Sequence, residues 1–441
     1  MEKLKEQRLG RANKFFYYYM SGYASFDIRI CITFKSLDIE KMKEASKKAL
    51  EAYPEFAKRT VIKGNVLTSV DNDEEILFVK RDNKARCFST DETNGYLFYF
   101  DYEGRSLCFY WYHGMSDVAG AYEYLKRTLY LYGISTSVEF SDKEKAEIEG
   151  QIRCDRFTFN EANEADLLDP YGTYGDKNAV PKVKIDTKWA YAIPASDYPE
   201  NADYYHSMKI SLNCSDFIAK TKEYETSFIP LLNDYLSMAF RKAYDAGDKP
   251  VTAMVPVNLR RYFNCETKGN CSDGIMIPVF KEDESLDIKE RCRKWKKYMQ
   301  DQMEENNFSR IMGSKAGIVD DIEETGNSIT DEVNKRTKLP NEETEFRPVS
   351  YGLTYPGNLT LPSGLDKLIE DFSLDGYGRG NSVVIFTYKD RMYLQALCRS
   401  DKTDYGMIVA DAFKNAGLNV SIEDKKRIKP NKMLVEKLTR I

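Results

Sequence analysis

Two aromatic runs at residues 96–112, followed at once by a helical pattern, constrain the fold more than any other part of the sequence. Both runs are rich in β-prone aromatic side chains and are joined by a short Glu-Gly turn, which is typical of a β-hairpin. Behind them, large apolar side chains recur at helical spacing over 118–132, with Asp117 as the predicted N-cap and Gly133 as the predicted stop. His113 therefore lies between a strand and a helix, where a rigid scaffold can direct a side chain into a cleft.

The length of the chain, 441 residues with 42% hydrophobic residues, favours two lobes over one core. We place the N-terminal lobe at 1–185 and the C-terminal lobe at 186–441, each combining strands and helices, which gives an α+β fold class. Residues 135–188 are polar and rich in turn-forming residues, so they are predicted to cross between the lobes. Residues 308–346 are acidic and polar, and we expect a mobile, partly helical excursion there.

The charge pattern argues against a nucleic-acid-binding protein, because the net charge is −5 and no basic stripe is present. Nine scattered cysteines without a C-x-x-C pair do not form a zinc pattern, and we expect free thiols in a reducing compartment. No apolar run approaches the length of a membrane span, and the N-terminus lacks the apolar segment of a signal peptide. The sequence therefore predicts a soluble, cytoplasmic protein without a metal site.

A second set of polar side chains follows a buried strand in the C-terminal lobe. Residues 250–257 form a nearly continuous apolar run, which is typical of a strand covered on both faces. Asn258, Arg260 and Arg261 come directly after it. Polar groups are therefore predicted at an interior edge of this lobe as well.

His113 is the strongest candidate for chemistry at neutral pH. With an ordinary pKa of about 6.5, imidazole is the side chain best matched to general-base work. A lone histidine is more often structural, and we expect that ordinary role for His206, which opens a strand. Ser116 offers a rival hypothesis, because G-M-S-D-V resembles the nucleophile turn of serine hydrolases. That turn needs glycine where this chain has Val118.

The heptapeptide YHGMSDV at 112–118 resembles the H-H-x-x-x-D-G motif of the chloramphenicol acetyltransferase-like superfamily, which includes condensation domains and alcohol acyltransferases. The second histidine of the motif, the catalytic one, corresponds to His113, and its aspartate corresponds to Asp117. Tyr112 replaces the first histidine, and Val118 replaces the closing glycine. Three further stretches are similar to the superfamily in the same order: ALEAYPEFAKR at 49–59, PVNLRRYF at 256–263 and TYPGNLTLP at 354–362.

The resemblance implies a role for each matching residue. His113 is expected to remove a proton from an acceptor hydroxyl or amine, which then attacks an acyl thioester directly, without an acyl-enzyme. Asp117 is expected to pair with Arg260, so that the turn presents His113 correctly. Thr354, at the position of the superfamily's serine, is expected to donate a hydrogen bond to the oxyanion of the tetrahedral intermediate.

The resemblance also implies the architecture and the partners. The expected fold is two chloramphenicol acetyltransferase-like lobes, each a mixed sheet with flanking helices, around a central tunnel to which Tyr112 and Asn258 contribute substrate contacts. Coenzyme A or a phosphopantetheine thioester is the expected co-substrate, no cofactor or metal is bound, and an acyl carrier protein is an alternative donor. The predicted activity is acyl transfer to a small-molecule hydroxyl or amine. The alternative is a degenerate, non-catalytic relative that binds a small molecule or a protein partner.

Overall fold

A computed structural model of the chain describes residues 7–20, 27–136, 138–154, 169–183, 190–191, 204–337, 349–357, 361, 364–376, 381–400 and 404–441. Within these ranges two large sheets, of five and seven strands, and one three-stranded sheet organise the chain. No helix in the same ranges is both long enough and apolar enough to cross a lipid bilayer. The fold class is α+β, as the sequence predicts.

The N-terminal lobe is built on the five-stranded sheet. The strands of this sheet are β2 (Asp27–Phe34), β5 (Phe78–Lys80), β6 (Phe98–Glu103), β7 (Ser106–Tyr112) and β12 (Ile369–Gly376), in the spatial order β12-β2-β7-β6-β5. The small sheet consists of β1 (Gln7–Arg8), β3 (Lys58–Lys63) and β4 (Val66–Asp71). The helices of this part of the chain are α1 (Arg11–Met20), α2 (Ile39–Leu50), α3 (Val118–Ser135) and α4 (Asp142–Cys154).

The aromatic side chains of the predicted hairpin form the core of this lobe. β6 and β7 pair antiparallel. Phe98 and Phe109 both contact Tyr124 of α3, with ring centroids 5.3 and 5.7 Å from that of the tyrosine. Because β7 is an inner strand covered by this helix, its C-terminal end is a rigid support for the His113 turn.

The C-terminal lobe is built on a seven-stranded mixed sheet. Its strands are β8 (Tyr205–Asn213), β9 (Val251–Asn258), β10 (Ser272–Val279), β11 (Tyr351–Thr354), β13 (Ser382–Tyr388), β14 (Arg391–Cys398) and β15 (Ser421–Ile428), in the spatial order β10-β9-β11-β13-β14-β8-β15. β11 is parallel to its neighbours β9 and β13, and the other pairs are antiparallel. The helices in this part of the chain are α5 (Pro170–Tyr174), α6 (Cys214–Glu223), α7 (Phe228–Tyr244), α8 (Arg260–Phe263), α9 (Ile288–Gln302), α10 (Glu305–Glu324), α11 (Ile329–Thr337) and α12 (Tyr405–Asn415).

β12 occupies a position that the sequence does not predict. It follows β11 of the C-terminal lobe in the chain, yet it pairs antiparallel with β2 at the edge of the N-terminal sheet. The last residues of the chain also return to the N-terminal lobe, where Met433, Val435 and Leu438 are buried in its core. The two sheets are therefore not built from two consecutive pieces of chain. The predicted boundary at 185/186 falls within 184–189, outside the described residues.

The predicted excursion at 308–346 is helical over its described part. α10 and α11 bury the apolar side chains Phe308, Met312, Val319, Ile322, Ile329 and Val333. Both helices pack against α1, and an ion pair of 2.9 Å joins Arg11 of α1 to Asp320 of α10. The helical part of the expectation is confirmed, but these helices belong to the packed fold instead of leaving it. Residues 338–346 lie outside the described ranges.

The structure corrects the expectation of free thiols at two of the nine cysteines. Cys31 on β2 and Cys108 on β7 lie directly opposite each other in the antiparallel register and form a disulfide, with their Cα atoms 4.0 Å apart. Six further cysteines in the described ranges are free thiols. The two paired residues are 77 positions apart, so only the strand register brings them together.

Replacing Cys31 and Cys108 together with alanine should lower the free energy of unfolding by about 2–4 kcal/mol. The disulfide joins residues 77 positions apart, and it stabilises the fold chiefly because it restricts the unfolded chain. Equilibrium urea denaturation measures the difference. Cys214→Ala is the matched control, since Cys214 is a partly exposed free thiol. Equal stability of the double variant and the parent would contradict the prediction.

Candidate active site

Strand β7 and helix α3 hold His113 in a short turn. β7 ends at Tyr112, and α3 begins at Val118. Asp117 caps the helix, because its Oδ1 accepts a hydrogen bond from the Gly120 backbone N–H at 2.9 Å. The histidine is therefore placed between the end of an inner strand and a capped helix start, as the sequence predicts.

The predicted ion pair between Asp117 and Arg260 is present. Arg260 Nη1 donates to Asp117 Oδ2 at 2.9 Å, and the Cys271 backbone N–H donates to the same oxygen at 2.9 Å. Burial alone would raise the pKa of the Asp117 carboxyl, but the Arg260 charge and these hydrogen bonds outweigh burial and lower it. The carboxylate therefore stays ionised and links the N-terminal lobe to the C-terminal lobe.

Arg260 also fixes the loop that follows α8. Its Nε donates to the Thr267 carbonyl oxygen and its Nη2 to the Gly269 carbonyl oxygen, each at 2.7 Å. We call residues 264–271 the clamp loop, because these bonds hold it against the His113 turn. The guanidinium thus serves two purposes, since it neutralises the buried carboxylate and shapes the loop beside the histidine.

Asn270 of the clamp loop contacts His113 directly, and sequence reasoning misses it. Its Nδ2 donates to the His113 carbonyl oxygen at 2.6 Å, and its Oδ1 lies 3.0 Å from His113 Nδ1. Asn270 is only 1% exposed, although it lies in a polar loop. No sequence pattern marks it, because the two residues are 157 positions apart and meet only when the lobes are together.

One face of the His113 imidazole is covered by Phe16 of α1. The two rings stack with their centroids 4.4 Å apart and an angle of 19° between their planes. Asn13, about one turn earlier, donates to the Met115 carbonyl oxygen at 3.5 Å and ties α1 to the same turn. Sequence reasoning assigns no role to this helix, because its aromatic run matches no motif.

The surroundings lower the pKa of His113 below its ordinary value of about 6.5. Burial of the ring contributes most, and the charge of Lys315 acts in the same direction. The Asp117 charge and the hydrogen bonds to the backbone and to Asn270 oppose this shift without cancelling it. His113 is therefore neutral at pH 7 and able to accept a proton.

The second histidine lies elsewhere in the fold. His206 is on β8, opposite Cys398 of β14 and Arg427 of β15. Across the part of the chain that the structure describes, no three His, Cys, Asp or Glu side chains are arranged to hold a metal ion. Of the two histidines, His113 is the one that contacts Asn270 of the C-terminal lobe, whereas His206 lies within the seven-stranded sheet.

Comparison with solved structures relates the chain as a whole to a known architecture, whereas no family model and no curated protein matches the sequence. The epimerization domain from the third module of tyrocidine synthetase B is 11% identical over 93% of this chain and 95% of that chain, with a TM-score of 0.59. TRI3 trichothecene 15-O-acetyltransferase from Fusarium sporotrichioides is 12% identical over 92% and 94%, with a TM-score of 0.58. TRI101 from F. sporotrichioides, solved with coenzyme A and T-2, is 10% identical over 95% and 99%, with a TM-score of 0.57.

The chain has the chloramphenicol acetyltransferase-like fold. Its two lobes, with mixed sheets of five and seven strands and flanking helices, confirm the two-lobed architecture that the sequence resemblance implied, whereas the central tunnel stays a prediction. Identities of 10–12% over nearly whole chains establish the fold alone. The activity of this protein therefore has to be argued from its own site.

Two residues close to His113 in the sequence, Tyr112 and Ser116, are buried. Tyr112, which replaces the first histidine, packs against Tyr17 and Phe88 with ring centroids 5.1 and 6.1 Å away. Its substrate contact stays a prediction. Ser116 is also fully buried, and its hydroxyl donates to the Lys268 carbonyl oxygen. The structure therefore does not present Ser116 as a nucleophile, which weighs against the serine-hydrolase hypothesis.

Asn258 and Thr354 lie at the C-terminal ends of neighbouring parallel strands. β9 and β11 pair with Gly352 opposite Met254, so both strands end at the sheet edge that leads to Arg260. Asn258 Oδ1 accepts a hydrogen bond from Arg260 Nη1 at 3.2 Å, and this exposed side chain thus supports the ion pair. The roles of Thr354 at the oxyanion and of Asn258 at the substrate stay predictions.

Proposed function

We propose that this protein is an acyltransferase that moves an acyl group from acyl-coenzyme A, or from a carrier-bound phosphopantetheine thioester, to a hydroxyl or an amine. The observation that carries the proposal is the position of His113, which Asn270 holds where the two lobes meet. Burial lowers the pKa of His113, and this shift suits the side chain to accept a proton. The fold supports it, because solved structures with this fold include a trichothecene 15-O-acetyltransferase and a complex with coenzyme A.

The proposed reaction is direct attack of the acceptor on the thioester. His113 removes the proton of the acceptor O–H or N–H while the acceptor atom bonds to the acyl carbon. A donor stabilises the resulting oxyanion by about 3–4 kcal/mol when it is well placed, and we propose Thr354 for this role. The carbon–sulfur bond then breaks, and the leaving thiolate takes the proton from the imidazolium. The products are an ester or amide and a free thiol.

The acid limb of the pH–rate profile for kcat/KM should be centred below about pH 6.5. Only unprotonated His113 accepts a proton, so the rate falls as the pH drops through its pKa. Burial lowers that pKa, which moves the limb to more acidic pH. Initial rates of thiol release between about pH 5 and about pH 9 measure the profile. An acid limb centred above the ordinary histidine value would show that the base is not in this environment.

A thiol-release assay tests the proposed function. Purified protein is incubated with a series of acyl-coenzyme A donors, from acetyl to long-chain, together with pooled alcohols and amines. We expect free thiol that appears only when protein and acceptor are both present, with an acylated acceptor of matching mass. Release without an acceptor would indicate a thioesterase. No release over the whole series, with carrier-bound thioesters included, would contradict the proposal.

A non-catalytic binding protein is the second candidate. The Phe16 ring stacked on His113 favours it, because that face of the imidazole is closed to a substrate. Such a protein would be stabilised by acyl-coenzyme A in thermal unfolding without releasing thiol. If the covering ring is the obstacle, Phe16→Ala should confer thiol release that the parent lacks. Turnover by the parent protein excludes this candidate.

A further inference from the structure

Asn270 makes two hydrogen bonds to the same histidine, and their chemistry fixes the orientation of its amide. Nδ2 donates to the His113 carbonyl oxygen at 2.6 Å, and Oδ1 lies 3.0 Å from Nδ1. A carbonyl oxygen only accepts hydrogen bonds, so the amide nitrogen has to face it. The opposite orientation would place two oxygens against each other in a buried position.

The orientation of the amide in turn determines which imidazole nitrogen of His113 carries the proton. Asn270 Oδ1 only accepts, so Nδ1 of the neutral His113 ring has to carry the hydrogen. The ring also forms a hydrogen bond with the backbone of its own residue, and this bond raises the pKa of His113, so the backbone partner is an acceptor. Nδ1 is the ring nitrogen nearer to the backbone, and an acceptor there favours the same tautomer. Nε2 then carries no hydrogen and keeps the lone pair of a neutral imidazole nitrogen.

We propose that Asn270 is a positioning residue that holds His113 in the Nδ1–H tautomer, so that Nε2 is the atom that accepts the proton. The opposite tautomer would present an N–H group to the acceptor and could not remove its proton. The catalytic meaning of this tautomer rests on the acyltransferase function proposed above. The tautomer itself is a property of the folded chain and is measurable without a substrate.

The residue that sets the tautomer of His113 belongs to the clamp loop, which is part of the opposite lobe. Both neighbours of Asn270 are bound to the buried ion pair, because the Gly269 carbonyl oxygen accepts from Arg260 and the Cys271 N–H donates to Asp117. Asn270 is thus held between two fixed points, with its side chain almost completely buried. The base on the N-terminal lobe is prepared by a loop of the C-terminal lobe.

Selective ¹⁵N labelling of histidine tests the proposal directly. The chain has two histidines, so the His206→Gln variant gives a spectrum of His113 alone. Above neutral pH we expect a pyrrole-type nitrogen signal for Nδ1 and a pyridine-type signal for Nε2. The reverse pattern, or two equal signals averaged between tautomers, would overturn the proposal.

Variants of Asn270 separate positioning from folding. Asn270→Ala should move the two nitrogen signals towards each other and lower kcat about 10-fold at unchanged KM. Asn270→Asp keeps an acceptor at Nδ1 and adds a negative charge, so the pattern should persist while His113 titrates at higher pH. Glu266→Gln, at an exposed position of the clamp loop, is the control and should change neither the two nitrogen signals nor kcat.

The outcomes distinguish this proposal from the proposed function. The expected tautomer in a protein that never releases thiol would contradict acyl transfer and leave the role of Asn270 at the imidazole intact. A parent-like nitrogen pattern in folded Asn270→Ala would overturn the positioning role even in an active enzyme. If the alanine variant does not fold, the aspartate variant decides, because an unchanged His113 titration would overturn the proposal.

Discussion

Replacing His113 with alanine should lower kcat for acyl transfer by a factor of about 10²–10⁴. Alanine accepts no proton, so the acceptor has to attack without a base held beside it. KM for the acyl donor should change little, because the lost interaction acts on the proton in the transition state and not on the bound thioester. Thiol release at saturating donor and acceptor measures the effect.

His206→Ala is the matched control for that experiment. It removes the other histidine of the chain, which lies on β8 in the seven-stranded sheet, and it should keep the kcat of the parent. Thermal unfolding of both variants verifies that each is folded. A His113→Ala protein that turns over like the parent would place the base elsewhere and would remove the central element of the proposed function.

The parts of the site that depend on neighbours in the sequence are predictable from it. Asp117 is an N-cap because its side chain reaches a backbone N–H three residues on, and Asp38 caps α2 in the same way. The hairpin that leads to His113 follows from two aromatic runs and a turn. Even here the prediction is approximate, since α3 continues past the predicted stop at Gly133 to Ser135.

The ion pair between Asp117 and Arg260 joins residues 143 positions apart, and it is predictable only because the sequence resembles a known superfamily. Residue patterns alone place Arg260 at an interior edge without naming its partner. A resemblance therefore carries long-range information that composition and periodicity do not contain.

Features without a local pattern and without a matching motif escape prediction. Asn270 is one of several polar residues in a loop, and only the docking of the lobes selects it. The disulfide between Cys31 and Cys108 depends on the register of two strands, and a register shift of one residue would separate the pair. No sequence feature assigns β12 to the N-terminal sheet, and its place there follows from the path of the chain.

These long-range contacts converge on the same place. α1 supplies the ring that covers one face of His113, the clamp loop supplies the amide at its Nδ1, and the turn after β7 supplies the histidine itself. Three segments that are distant in the sequence thus build one site. The ion pair of Asp117 and Arg260 links the two lobes at that site, with the Asp117 side chain buried.

Replacing Arg260 with methionine should lower the free energy of unfolding by about 3–5 kcal/mol, because it leaves the Asp117 carboxylate buried without its cation. Methionine fills much of the same space, so the main change is the loss of charge and of the donors to Thr267 and Gly269. Urea denaturation at pH 7 measures the loss. Arg261→Met is the control, because Arg261 is exposed, and its replacement should change stability by less than about 0.5 kcal/mol.

The pH dependence of that loss separates the unpaired charge from lost packing. In the parent the pKa of Asp117 is lowered, so its contribution to stability is present above about pH 3.9 and is lost as the pH falls through the folded-state pKa. Without Arg260, burial raises that pKa, and protonation then relieves the unpaired charge as the pH falls. The difference in stability between parent and Arg260→Met should therefore shrink between about pH 7 and about pH 4. A difference that does not change with pH would assign the loss to packing and would contradict an electrostatic role for the pair.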